Sequence, residues 1–342
     1  MGATMSAPTV PTTKTEIIVQ YVDIFKSLST DPKPLDFVLP GFLAGTVGIL
    51  FAKGSTGKSF WSLEAAIAIG CEVAGANVLE LDLKTSGKVL YLSLEDPVPV
   101  IEHRLRAVGR RISLDAMRAV DKNFQIADLN GKCFDLMDDS WITWAITAGQ
   151  GKRIIIIDTV SRIHHMDENS NGDMGALMQR LDRLAAETGA AILLLHHANK
   201  AADRMGDADQ QGATRGASVL LDNSRFGAAM IKMTAHEGTT YHTTDGKKIG
   251  GRKGFYVRMS FPKINYSMAP NDLWYERTEG GVLVPTELLS DEVANDEDKD
   301  LQGAKKTKRG LANIMGDGAD KFDKRAQGGA PNNEGWTNVA PF

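Results

Sequence analysis

The chain has 342 residues, of which 42% are hydrophobic and 24% are charged, and this composition is typical of a globular protein. Its net charge of −4 excludes the strongly basic surface of a protein that binds nucleic acid through overall charge. Two cysteines exclude a disulfide framework and favour a reducing, cytoplasmic location.

Three regions are predicted along the chain. Residues 1–33 begin with a Pro- and Thr-rich stretch that is expected to be flexible, and IIVQYVDIFKSL within them is expected to form a short amphipathic helix. Residues 34–286 alternate strand-like and helix-like segments and are predicted to fold as one domain. Residues 287–342 are acidic, then basic, then rich in Gly, Asn and Ala, which predicts a disordered tail.

The middle region predicts an α/β fold. Nearly all-apolar strands are expected at residues 46–52, 88–95, 153–158 and 191–197. Helices are expected at SFWSLEAAIAIG, PVIEHRLRAVG and MGALMQRLDRLAAETG, the last of which ends at a glycine. This alternation indicates a buried parallel sheet. SVLLDN, GAAMIKM, GFYVRMSF, LWYER and GVLVP are expected to be later strands, antiparallel and added at one edge.

The strongest motif is AKGSTGKS at residues 52–59, a phosphate-binding loop in which Ala52 replaces the usual first glycine. A chance glycine-rich turn is disfavoured because a strand enters the loop and a helix leaves it. Lys58 is expected to reach the β- and γ-phosphates of ATP, and Ser59 to place its hydroxyl on Mg²⁺. The backbone that surrounds the polyphosphate is predicted to come from Gly54, Ser55, Thr56 and Gly57.

Two carboxylates follow the loop at the ends of predicted strands. Asp158 ends RIIIID, where a Walker-B aspartate would hold Mg²⁺. Glu95 ends YLSLE, where it would orient and deprotonate the attacking water. The alternative for each residue is a solvated charge at a strand end, but their order after Lys58 favours the functional role.

Several stretches together resemble the RecA-like ring ATPases, and more closely the RepA family of hexameric replicative helicases of broad-host-range plasmids. The resemblance covers roughly residues 35–286 and implies a RecA-like P-loop core with a mostly parallel central sheet and additional antiparallel edge strands. The stretches that carry it are LDFVLPGFLAGTVG, YLSLEDP, HRLRAVG, IDTVSRIH, LLLHHANK, DQQGATRGASVLLDNSR, KINYSMAP and GGVLVP.

The resemblance also implies roles for individual residues. The LLLHH strand should lie between the P-loop strand and the Walker-B strand, with His197 as a γ-phosphate sensor at its tip. Adjacent strand residues point to opposite faces, so His196 and His197 are poorly placed to bind one metal ion, and His196 is interpreted as packing. Arg225 matches an arginine finger that acts on the neighbouring subunit, and Lys263 resembles a second cation at that interface.

A finger that acts in trans implies a homo-hexameric ring. Loops after the Walker-B and histidine strands would then face single-stranded DNA in the channel. Lys200 and Arg204 are predicted to contact DNA, and Arg215 is predicted either to contact DNA or to brace the interface. His164 and His165 are placed in the channel loop or at its base.

The leading hypothesis is therefore an ATP-driven replicative DNA helicase of a phage or plasmid, with 5′→3′ polarity implied by the resemblance. The alternatives are a RecA-type recombinase filament and a regulatory ATPase of the circadian-clock type. A further hypothesis is that the tail, with its aromatic residues Trp336 and Phe342, docks a replication partner.

Overall fold

The computed structural model describes residues 21–197 and 215–290. Lys200, Arg204 and the aromatic residues of the tail lie outside these ranges. The chain divides after Leu35 into two units, which are described separately. The first contains helix α1 (Ile24–Ser29), which begins at an Asp23 N-cap whose side chain accepts a hydrogen bond from Lys26 N at 3.0 Å.

The second unit is built on a mixed sheet whose central strands are parallel. Strands β3 to β8 span Val47–Ala52, Val89–Ser93, Phe124–Asp128, Ile154–Asp158, Ala191–His197 and Phe226–Lys232. The described part of this sheet also contains β10 (Tyr256–Ile264), β11 (Leu273–Arg277) and β12 (Leu283–Thr286). Its strand order is β12-β11-β10-β8-β3-β7-β6-β4-β5. The predicted place of the LLLHH strand, β7, between the P-loop strand β3 and the Walker-B strand β6 is confirmed.

The antiparallel part begins at β10 (Tyr256–Ile264), which pairs with β8 and is followed by β11 (Leu273–Arg277) and β12 (Leu283–Thr286). Its position at one edge agrees with the expectation, although β8 itself runs parallel to β3. Two small antiparallel pairs complete the strands of the described chain: β1–β2 (Phe37–Leu39 and Phe42–Leu43) and β9–β13 (Tyr241–Thr243 and Leu288–Ser290).

Helices cover both faces of the sheet. They are α2 (Lys58–Gly70), α3 (Val98–Gly109), α4 (Leu114–Asn123), α5 (Asp139–Gly149), α6 (Asn171–Thr188), α7 (Arg215–Asn223) and α8 (Ala235–Thr240). The predicted glycine cap is present, because Gly189 ends α6 with a φ of 70°. None of the helices in residues 21–197 and 215–290 is both long and apolar enough to cross a bilayer.

The all-apolar strands are explained by burial on both faces. Along β7, Leu193 and Leu195 pack into one core, whereas Ile192 and Leu194 pack into the other. The four isoleucines of β6 alternate between the two cores in the same way. The predicted fold class, an α/β protein with a mostly parallel central sheet and antiparallel additions, is confirmed.

Two local expectations are wrong. SVLLDN is not a strand but the second half of helix α7, in which Leu220 and Leu221 are buried and Asp222 is exposed. A short apolar run fits either state by its pattern, and here the helix packs against β3. Glu95 does not end its strand, because β4 stops at Ser93 and Glu95 lies two residues beyond. Helices α4 and α5 and strand β5 were not predicted from the sequence.

A buried carboxyl group joins the P-loop helix to the antiparallel strands. Oε1 of Glu64, in α2, accepts a hydrogen bond from the backbone N of Leu283 in β12 at 2.9 Å, and Glu64 is 1% exposed. Its other oxygen is buried and has no hydrogen-bond partner in the described part of the chain. Burial raises the pKa of Glu64 from 4.5 to about 8, so the group is largely protonated at neutral pH.

This raised pKa predicts that the stability of the protein decreases as pH rises. Between about pH 4.5 and 8 the folded protein keeps a proton that the unfolded chain loses, so the free energy of unfolding decreases as pH rises through that window. Glu64→Gln stays neutral and should lack this decrease. The free energy of unfolding should be measured by urea unfolding of both proteins at pH 5 and at pH 8. Between these pH values wild type should lose about 2 kcal/mol or more relative to the variant.

The control is Glu102→Gln, on the exposed side of α3, which should follow the wild-type pH profile. Parallel stability curves for Glu64→Gln and wild type would show that Glu64 is already ionised in the folded protein.

Candidate functional site

The phosphate-binding loop connects β3 to α2 at the carboxyl edge of the sheet. Gly57 has a φ of 111°, which a side chain would strain, and Ser55 also has a positive φ of 60°. The loop leads directly into the N-terminus of α2, and a loop in this position is the arrangement that binds polyphosphate. Lys58 is 6% exposed, and burial lowers the pKa of its amine.

Parallel register brings the other predicted groups to the same edge. Ser93 pairs with Asp158, Asp158 pairs with Leu195, and the last residue of β3 pairs with His197. The tips of β4, β6, β7 and β3 are therefore adjacent, at the point where the chain connections diverge to the two sides of the sheet. Open α/β sheets bind their ligands at this position.

His197 lies between two charged groups of this site. Its Nδ1 is 3.5 Å from Lys58 Nζ, and its Nε2 is 3.5 Å from Oε2 of Glu95. An ammonium only donates and a carboxylate only accepts, so both contacts are satisfied by the neutral tautomer with its proton on Nε2. The hydrogen bond from His197 lowers the pKa of Glu95, which keeps that carboxylate ionised and able to accept a proton.

Asp158 is 3% exposed at the end of β6. Its Oδ2 accepts a hydrogen bond from the hydroxyl of Tyr91 at 2.7 Å, and its Oδ1 is buried without a partner in the described residues. Burial raises the pKa of Asp158, while the Tyr91 and Ser59 hydroxyls and the Lys58 amine act against this rise. An unpartnered buried carboxylate oxygen beside a serine hydroxyl fits a Mg²⁺ ion, which takes few protein ligands and fills its shell with phosphate and water oxygens.

His196 and His197 contact different groups, as expected for adjacent residues of a strand. His197 faces the phosphate loop, whereas His196 is buried and its Nε2 is 3.3 Å from Oε2 of Glu168. The expectation that His196 only packs is therefore incomplete.

His164 is also buried, with Nδ1 accepting a hydrogen bond from Met166 N at 3.2 Å, and His165 is exposed. Residues 21–197 and 215–290 contain no group of three or more His, Cys, Asp or Glu side chains that could hold a metal ion.

Arg277 is a site residue that the sequence analysis missed. It ends β11, and its Nη2 donates hydrogen bonds to the carbonyl oxygens of Thr56 at 2.6 Å and Ser55 at 3.4 Å. A Cβ atom on Gly57 would lie 3.1 Å from the same nitrogen. No local pattern marks this arginine, because its partner residues are more than two hundred positions earlier in the chain. From the other side of the loop, Lys232 Nζ lies 3.5 Å from the carbonyl oxygen of Gly54.

The cavity above the loop has a volume of about 340 Å³. Beyond the phosphate-binding residues it is bordered by Arg104, whose Nη1 donates to Asp96 at 2.5 Å and whose guanidinium lies 5.7 Å from the centre of the Phe60 ring. The cavity is therefore lined both by Lys58 and by the Arg104–Asp96 ion pair.

Arg225 and Lys263 do not line this cavity. Arg225 is exposed in the turn between α7 and β8, where its backbone N donates to Val47 O at 2.8 Å. Lys263 Nζ donates to the carbonyl oxygens of Leu221 at 3.0 Å and Asp222 at 2.5 Å, at the C-terminal end of α7. The backbone of Arg215 begins α7.

Comparison with protein families decides the classification of this site. A model described as AAA domain matches residues 15–203, more than half of the chain, including the phosphate loop, Glu95, Asp158 and His197. The chain belongs to the AAA domain family. Arg225, Lys263 and Arg277 lie beyond the matched residues of this P-loop ATPase domain.

The G40P ATPase domain and a DnaB-like helicase share the fold of this AAA domain. The ATPase domain of G40P is 14% identical, with a TM-score of 0.52 over 77% of this chain and 96% of that chain. A DnaB-like replicative helicase, solved with its interactions with primase, is also 14% identical, with a TM-score of 0.50 over 77% of this chain and 65% of that chain. The RadB recombinase is 12% identical, with a TM-score of 0.47 over 72% of this chain and 93% of that chain.

The contacts of Arg277 predict that it preorganises the phosphate loop. Arg277→Gln removes a charged donor from two loop carbonyls, and a hydrogen bond to a charged group contributes about 1.5–3 kcal/mol. We expect the affinity for a fluorescent ADP analogue to fall by about 10- to 100-fold in an equilibrium titration.

The matched control is Arg252→Gln, which removes the ion pair between Arg252 and Glu276. Glu276 precedes Arg277 on strand β11, and loss of this solvent-accessible ion pair should leave the affinity unchanged. Equal affinities for Arg277→Gln and wild type would mean that the loop holds its shape without Arg277.

Proposed function

We propose that this protein is an ATP-dependent replicative DNA helicase that acts as a ring-shaped homo-hexamer on single-stranded DNA. The main observation behind the proposal is that His197 contacts both Lys58 and Glu95. His197 is the last residue of β7. A histidine in this position contacts the residues that bind and hydrolyse ATP, and it directly precedes the segment of Lys200 and Arg204.

Each side chain of the site has a role in hydrolysis. Lys58 binds the β- and γ-phosphates, and the ionised Glu95 orients the attacking water and accepts its proton. Ser59 and Asp158 would hold Mg²⁺, which neutralises charge on the phosphates when bound. His197 donates a hydrogen bond from Nε2 to Glu95 and is close enough to Lys58 to respond when the γ-phosphate leaves.

The position of Arg225 supports the proposed ring. It is exposed and does not border the cavity of its own subunit, so an arginine finger at this position acts on a neighbour. Lys263 would assist at the same interface after release from the carbonyl groups of α7. Residues 34–286 form the motor domain in this proposal, with residues 1–33 and 287–342 as flanking segments.

DNA binding is assigned to Lys200, Arg204 and Arg215. A ring repeats each contact in every subunit, so a few cations per chain suffice despite the net charge of −4. The resemblance to the RepA family supports a role in phage or plasmid replication and a 5′→3′ direction. The likeness of fold to a DnaB-like replicative helicase supports the helicase part of the proposal. The tail with Trp336 and Phe342 would dock a replication partner.

The first test is strand displacement from a forked DNA duplex. We expect ATP-dependent displacement and an ATPase rate that increases at least about tenfold with single-stranded DNA, since DNA contacts and hydrolysis share the β7 tip. Lys58→Ala is the control and should support neither activity, while a fork with only a 3′ tail tests the direction.

The two alternative functions are outcomes of the same assay. A DNA-stimulated ATPase that forms filaments and exchanges strands without displacing them indicates a recombinase. An ATPase that is insensitive to DNA indicates a regulatory ATPase. Either result overturns the helicase proposal.

A mixing experiment tests whether Arg225 acts in trans. Arg225→Ala subunits keep their own nucleotide site but lack the finger, whereas Lys58→Ala subunits keep the finger but lack the site. Each variant alone should be inactive. An equal mixture should recover roughly a quarter of the wild-type ATPase activity, because about one interface in four joins an intact site to an intact finger.

The control is a mixture of Arg225→Ala with the Lys58→Ala/Arg225→Ala double variant, which should stay inactive. Full activity of Arg225→Ala alone would remove Arg225 from the hydrolytic machinery, and recovery in the control mixture would show that the finger is a different residue.

A further inference from the structure

Asp158 has two carboxylate oxygens in unlike surroundings. Oδ2 is bound by Tyr91 and Oδ1 has no hydrogen-bond partner in the described residues. We propose that Tyr91 is a positioning residue whose buried hydroxyl fixes the Asp158 carboxylate so that Oδ1 is the oxygen offered to Mg²⁺. The inference rests on the proposed function, because it concerns the metal of the nucleotide site.

The direction of the hydrogen bond is fixed by chemistry. An ionised carboxylate has no proton to donate, so the Tyr91 hydroxyl is the donor and Oδ2 is the acceptor at 2.7 Å. Tyr91 lies in the middle of β4 and is 2% exposed, so no water competes for this bond. Rotation of the carboxylate would break the bond, which restricts Asp158 to one orientation.

The Tyr91 hydroxyl is itself oriented from the P-loop helix. Ser62 Oγ lies 3.1 Å from the Tyr91 hydroxyl oxygen and 3.1 Å from the carbonyl oxygen of Ser59. Tyr91 donates its only proton to Asp158, so the single hydroxyl proton of Ser62 is shared between two acceptors, the Tyr91 hydroxyl oxygen and the Ser59 carbonyl oxygen. Tyr91 therefore connects Asp158 on β6 with the helical turn that carries Ser59, the other residue assigned to Mg²⁺.

A phenylalanine would fill the same volume, so packing does not explain the hydroxyl. The ring of Tyr91 packs edge-on against Phe124 at 6.4 Å between centroids, and this contact needs no oxygen. Without the hydroxyl, Oδ2 would be a second buried acceptor with no partner, and the carboxylate would be free to rotate. The specific consequence is weaker binding of Mg²⁺, with the binding of metal-free nucleotide unaffected.

The test compares Tyr91→Phe with wild type by two binding measurements and needs no DNA. In EDTA, both proteins should bind a fluorescent ADP analogue with affinities that agree within about twofold. With ADP bound, the concentration of Mn²⁺ at half-saturation, measured by electron paramagnetic resonance, should rise about tenfold or more in Tyr91→Phe, as expected for a lost charged hydrogen bond. Mg²⁺ should compete with the Mn²⁺ signal in both proteins.

The matched control is Tyr275→Phe, which removes the hydroxyl of another fully buried tyrosine that lies beside Trp61. It should change neither measurement. If Tyr91→Phe does not fold, Ser62→Ala removes the donor that orients Tyr91 and should raise the Mn²⁺ half-saturation by about two- to fivefold, again with unchanged affinity for ADP in EDTA.

The outcomes separate this inference from the proposed function. Wild-type Mn²⁺ affinity in the folded Tyr91→Phe protein, or in Ser62→Ala when Tyr91→Phe does not fold, overturns the inference and leaves the helicase proposal intact. Parallel loss of metal-free ADP binding also overturns it, because Tyr91 would then support the site as a whole. A wild-type protein that binds ADP but no Mn²⁺ overturns both.

Discussion

The site depends on charges held in a poorly solvated edge of the sheet. Lys58 and Asp158 are almost completely buried there, and burial lowers the pKa of the amine and raises the pKa of the carboxyl. Each group therefore lacks water and requires partners. Lys58 has only the distant Nδ1 of His197 as a hydrogen-bond partner in the described residues, and one oxygen of Asp158 has none. In the proposed function, phosphate and a divalent cation would satisfy both needs.

The rest of the domain holds this edge in place from three directions. Tyr91 and Ser62 join the Walker-B strand to the P-loop helix, and Glu64 joins that helix to β12. Arg277 reaches from β11 to the carbonyl groups of the loop itself. The antiparallel strands are therefore part of the nucleotide site and not only an extension of the sheet. A change in their position would alter the shape of the loop, and such coupling suits a motor in which hydrolysis accompanies movement.

The two histidines at the end of β7 face opposite sides of the sheet and contact different groups. His197 faces the phosphate loop and contacts Lys58 and Glu95, whereas His196 faces the opposite side of the sheet and contacts Glu168. Glu168 belongs to the segment after the Walker-B strand that also contains His164. The tip of β7 is thus connected on one face to the nucleotide site and on the other to the neighbouring loop.

Local sequence determined the parts of this protein that depend on neighbours in the chain. The apolar runs of β3, β4, β6 and β7, the loop at residues 52–59 and the Gly189 cap follow from burial on both faces and from glycine geometry, and all are present in the structure. SVLLDN was assigned incorrectly because a short apolar run fits both helix and strand. The end of β4 was placed two residues too late, because the sequence pattern defines the ends of an element poorly. Only the tertiary structure brought Tyr91 to Asp158 and Arg277 to Thr56, since hydrogen bonds across 67 and 221 positions leave no periodic signal. The sequence alone thus determined the chemistry of the phosphate loop, and the packing of distant strands decided how its side chains are held.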